Sequence, residues 1–230
     1  MKTESFNKWE SSKSLTTGPV LILLLAIMAG CATTSGIERA DRTTSSMETV
    51  ESDIESTLDA VDAVETSLSE LIRVGQRDIS SAFESYSENV QRLEENASSY
   101  LQNAREMQSS AEDYFSAWEN DSYENQRIQE VSERRRNEVR ETYNRIPEVI
   151  SEVETDLDTY ISNNNEIQNY LSTDLTAQGI ESMTPLIEET IYESENLRDR
   201  LLDVDESIEN ARDEMERRGR MDENDFDSNN

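Results

Sequence analysis

Cys31 is the only cysteine in the 230 residues, and the chain has no histidine. Nucleophilic and acid–base chemistry near neutral pH usually draws on one of those two side chains. What remains in quantity is carboxylate: 51 Asp and Glu against 21 Lys and Arg. A carboxylate pair works as acid and base only when burial or a neighbour shifts one member, and so many acids make adjacent pairs inevitable. Asp203-Val204-Asp205 and Asp225-Phe226-Asp227 have ligand-like spacing, but neither is followed by the glycine and late glutamate of a calcium loop. Gly-rich phosphate loops and Gly-x-Ser-x-Gly elbows are absent from the sequence. These residues predict no enzyme, no cofactor and no specific metal site. A hydrolase working through carboxylates would need two buried, unpaired acids converging on a cleft.

Two polar residues fall on an otherwise apolar helical face, Arg135 and Asn164. Arg135 belongs to the basic run SERRRNEVR at 132–140. At a core position its stem can snorkel past apolar neighbours, or its guanidinium can fix helix register against a buried carboxylate. Asn164 suits a register-setting polar core residue. The rest of the run reads as an ion-paired surface, with Glu130 to Arg134 and Glu141 to Arg145 in the favoured order. The other reading of the run is a site for an anion or an acidic partner.

The surroundings of Cys31 give its thiol a different chemistry. Lys2, Lys8 and Lys13 form a basic leader, and an apolar run covers 20–30. That run is too short for a bilayer span of about 20 residues, but it suits a secretory signal. Met28-Ala29-Gly30-Cys31 resembles the bacterial lipobox, with Met28 where the usual form has Leu. Small residues let a peptidase reach the backbone, and the thiol takes a diacylglycerol. Residues 1–30 are therefore expected to be a removed signal peptide, leaving the chain anchored to a membrane through lipid on Cys31. Ala32 is not the Asp that retains such proteins in an inner membrane, so the periplasmic face of the outer membrane is the expected location.

Removing the three lysines and two glutamates of residues 1–30 leaves 49 acids against 18 arginines and no lysine. Such a surface repels nucleic acid. In dilute buffer its self-repulsion opposes compaction, and at ~1 M salt a Debye length of roughly 3 Å removes most of it. Acidity without lysine predicts adaptation to high salt.

These groups must be carried by helices, because helical spacing runs through most of the remaining chain and strand-like alternation is absent. Residues 31–44 read as the lipidated cysteine and a polar tether. Ser45 and Glu48 are spaced as a capping box, opening a first helix with Met47, Val50, Ile54, Leu58, Val61, Val64, Leu68 and Leu71 about 3.5 residues apart. Gly75 suits a stop and Asp78 a new N-cap. From Ile79 to Trp118, twelve positions alternate by four and three without a miss, the period of a left-handed supercoil. Asp121 and Glu124 repeat the capping-box spacing. A third helix carries Ile128, Val131, Val139, Ile146, Val153, Leu157, Tyr160, Ile167 and Leu171, and Pro147 should kink or break it. A fourth runs from Ile180 to Met215, unless Pro185 marks its first turn. Residues 217–230 read as a disordered acidic tail. Short connections make neighbours antiparallel. The prediction is all-α: an elongated antiparallel bundle or coiled coil of three to four long helices over 45–216. Four helices could close their own core; a shorter rod would self-associate.

The stretches YFSAWENDSYENQ (114–126), RRRNEVRETYNRI (134–146) and YLSTDLTAQGIESM (170–183) resemble segments of DUF2959, a bacterial family of exported, all-helical proteins of unknown function. The resemblance implies bacterial origin, export and a helical fold, and implies no activity or site residues. Taken with the lone thiol, the expected function is a non-enzymatic, lipid-anchored scaffold, spacer or interaction protein of the cell envelope with an unknown protein partner. The alternative is a periplasmic binding or chaperone-like module gripping a client between its helices, which predicts a sizeable exposed apolar groove.

Overall fold

A computed structural model describes residues 36–217, which form five helices: α1 Gly36–Leu71, α2 Ile79–Asn120, α3 Gln126–Tyr143, α4 Ile146–Thr173 and α5 Ala177–Glu216. Among these residues there is no strand, and no helix is long and apolar enough to cross a membrane. Cys31, the lipobox residues Met28, Ala29 and Gly30, and residues 218–230 lie outside the described part. α3 and α4 are consecutive segments of one arm, so four arms surround one core in the antiparallel order that the short connections require. α1 packs on α2 and α5, and α4 packs on α2 and α5. Side-chain bonds to backbone fix the register of the first hairpin. The Asn89 amide donates to Ala63 O at 3.1 Å and the Asn96 amide to Ser56 O at 2.7 Å.

The 3–4 spacing explains most of the core. On α2, Tyr86, Val90, Leu93, Ala97, Tyr100, Ala104, Met107, Ala111 and Tyr114 are all buried. Ile79, Phe83 and Trp118, at the two ends of the pattern, are only partly buried. Each fully buried Leu, Ile or Met stabilises the fold by roughly 1.5–3 kcal/mol. Tyr86, Tyr100 and Tyr114 are buried to the same degree and fill the core with them.

Three boundaries differ from the sequence expectation, and the break at Pro147 agrees with it. α1 begins at Gly36, so Ser45 and Glu48 lie inside a helix and the expected tether over 36–44 is helical. Ala40 and Thr43 are buried there, extending the spacing of Met47 and Val50 with small residues. The Thr43 hydroxyl also donates to Ser110 O on α2 at 3.2 Å. Asp121 and Glu124 form no capping box: α2 ends at Asn120, and the Asn125 side chain caps α3 by accepting from Arg127 N–H at 3.0 Å. The Arg135 arm breaks at Pro147, as its missing N–H requires. Because Asn144 and Arg145 both stay in the right-handed helical region, the arm bends there and continues. Pro185 does not open a helix. α5 starts at Ala177, where the Thr176 hydroxyl accepts from Gly179 N–H at 3.0 Å. A Cβ at Gly179 would stand 2.2 Å from Asp174 O, so this tight entry requires glycine.

Candidate functional site

Asn164 is fully buried on α4 and joins two tyrosines. The Tyr86 hydroxyl from α2 donates to both Asn164 O at 2.8 Å and Asn164 Oδ1 at 3.1 Å. The Asn164 amide nitrogen donates to Tyr160 O at 2.8 Å. Its side chain thus has a donor and an acceptor satisfied without water, as a buried amide must. Burial pushes the phenols of Tyr86 and Tyr160 well above their ordinary range, so both stay neutral. This arrangement fixes which turn of α2 faces which turn of α4. It offers no activated nucleophile.

Arg135 is one-quarter exposed and lies at the other end of the same arm, where it clamps α5. One guanidinium nitrogen pairs with the Glu214 carboxylate and another donates to the Glu214 backbone carbonyl. The carbonyl is one of the last in α5, so the contact also satisfies an otherwise orphaned acceptor. Of the two ion pairs expected around the basic run, neither forms. Arg134 is exposed with no ion pair among the described residues, and Arg145 sits 4.0 Å from Asp203 instead. Glu130 accepts from Gln126 at 3.1 Å.

Other arginines stitch arms together. Arg198 and Arg212 of α5 pair with Asp62 and Glu51 of α1. Arg200 reaches Asp156 of α4 at 2.6 Å, and Arg105 of α2 reaches Glu154 of α4 at 2.7 Å. Around the Glu51–Arg212 pair lies a groove of about 520 Å³ that also holds Glu55, Asp205 and Glu209. Burial, with Asp205 and Glu209 beside it, raises the pKa of Glu51 against the opposing pull of Arg212, and burial followed by Glu209 raises that of Asp205. Sequence reasoning missed this cluster, because its members come from α1 and α5 and no local pattern joins them. It does not supply two buried, unpaired acids, since Glu51 is paired with Arg212. No group of acids suited to hold a metal occurs among the described residues.

A groove of about 650 Å³ runs between α1 and α2 beside their connecting turn. Asp62, Ala63, Thr66, Ser67, Ser81 and Ala82 contribute to its walls. Its walls carry small and polar side chains, whereas a client-gripping groove needs large apolar ones.

Large apolar side chains are instead exposed at the end where α1 and α3 begin. Ile37 is 69% exposed, Tyr123 41%, Ile128 49% and Val131 56%. Gly36, Tyr123, Ile128 and Val131 border one groove of about 340 Å³ with Arg135 and Trp118. Ile128 and Val131 occupy the helical face expected to be core, so their exposure corrects that assignment. The reason is register. α5 ends at Glu216, level with Arg135, and no described residue of α5 stands opposite the earlier turns of α3.

A family model described as "protein of unknown function (DUF2959)" matches residues 32–217. No curated protein and no solved structure matches the chain.

Proposed function

The chain belongs to that family, DUF2959, and from this premise we propose that it is a non-enzymatic, lipid-anchored helical scaffold or spacer of the bacterial cell envelope, adapted to high salt. The observation that carries the reading is the lone thiol at the end of Met28-Ala29-Gly30-Cys31, directly ahead of a four-armed bundle. The family match starts at Ala32, the residue after Cys31. That start agrees with a signal removed before the cysteine. The buried polar contacts support the same role, because Asn164 and Arg135 are consumed in holding arms in register. The groove between α1 and α2 is lined by small side chains and offers no large apolar anchor, which counts against the client-gripping alternative.

The test is Cys31→Ser expressed in the native host. The wild-type chain should incorporate radiolabelled palmitate and sediment with membranes; the variant should do neither. If the variant still sediments with membranes, the anchor lies elsewhere and the reading is lost.

A further inference from the structure

We propose that the end of the bundle where α1 and α3 begin rests directly on the lipid surface, with Ile37, Tyr123, Ile128 and Val131 entering the boundary between headgroups and acyl chains. The proposal rests on the lipid-anchor reading above. Single exposed apolar side chains are ordinary. Here four of the eight large ones among the described residues stand at one end of the bundle, on α1, on α3 and on the loop before it. The loop backbone is tied to α3 at this point, because Tyr123 N–H donates to Gln129 Oε1 at 3.1 Å.

Two observations select lipid as the occupant. First, α1 starts at Gly36, and Cys31 lies five positions earlier. At ~3.8 Å per step, a lipid on that thiol holds this end within about 19 Å of its own attachment point. Had the expected tether over 36–44 been extended chain, the bundle would have had far more freedom to stand off. Second, α3 is the one helix among the described residues without net negative charge. It carries five arginines against four acids, whereas α5 has three arginines against thirteen acids. Arg127 and Arg134 are exposed on α3 without an ion pair among the described residues, so they are available to lipid phosphates. Apolar side chains with arginine beside them are the pattern of an interfacial helix, which sinks roughly 5–10 Å into the headgroup region.

The experiment uses the chain from Cys31 onward, coupled through that thiol to a maleimide lipid in phosphatidylcholine vesicles at molar salt. Its amide hydrogen exchange is compared with that of the same chain capped by a lipid-free maleimide. Exchange over 121–131 should slow by roughly tenfold on vesicles, while the α1–α2 turn at 72–78 is unchanged. The double variant Ile128→Asp, Val131→Asp should lose the protection. The acid at 128 sits favourably in the first turn of α3, both positions are exposed, and an unchanged helical circular dichroism spectrum verifies the fold. Equal exchange on and off vesicles overturns the proposal. So does protection that grows with protein density, which marks a second copy as the occupant, or protection already present in solution and abolished by deleting 218–230. Because the synthetic tether replaces the cell's own acylation, a negative palmitate result strikes only the anchor reading.

Discussion

Buried hydroxyls separate into two kinds, and they should respond oppositely to removal. Tyr86 donates to Asn164 O and Oδ1, so Tyr86→Phe removes a satisfied bond and should cost about 1 kcal/mol. The Tyr100 hydroxyl is buried with no hydrogen-bond partner among the described residues. Its desolvation is therefore uncompensated, and Tyr100→Phe should leave stability unchanged or raise it by about 1 kcal/mol. Denaturant midpoints of the two variants check this, and a matching loss in both would contradict the assignment. The sequence placed both tyrosines in the core but could not tell them apart. That distinction depends on Asn164, 78 positions away from Tyr86.

Helices were legible wherever large apolar residues mark the seam, and their ends were not. α1 was read as starting at Ser45 because its earlier seam uses Ala40 and Thr43, which look polar or neutral in isolation. The break after Asn120 lies where a helix end was expected, but the cap of α3 was misassigned, because Asp121 and Asn125 are both acceptable caps and it is Asn125 that accepts from Arg127 N–H. Arg135 was singled out as a charge on an apolar face; its partner Glu214 was invisible, since register between α3 and α5 is tertiary. Arg135→Met keeps the apolar stem and removes the clamp on the last turn of α5. Hydrogen exchange over 210–216 should accelerate several-fold, and global stability should fall by about 1–2 kcal/mol, a partly screened pair being worth less than a fully buried one. Exchange as slow as in the wild type would mean that Arg135 does not hold the end of α5.

At the scale of the whole molecule, charge dominates. All described helices but α3 carry a net negative charge, and screening should favour the compact state. The chain from Cys31 on should have stronger helical circular dichroism and a blue-shifted Trp118 emission at ~1 M salt relative to dilute buffer. Identical spectra in both would remove the salt adaptation. Acid should act in the same direction. The pKa values of Glu51 and Asp205 are raised in the fold, so the folded state holds protons that the unfolded chain releases. Their contribution grows as pH falls through the folded values toward 4.5 and 3.8, and is lost as pH rises. Melting temperature in low salt should rise as pH falls from 7 toward 4, and the rise should be smaller in the Glu51→Gln, Asp205→Asn double variant. The sequence by itself determined the fold class, the seams of the long helices, the charge and the single thiol, because each is a property of composition or local period. Tertiary structure alone decided the acid cluster of α1 and α5, the Arg135–Glu214 clamp and the exposure of Ile128 and Val131. Those depend on where one arm ends against another, and local periodicity carries no information about the length of a distant neighbour.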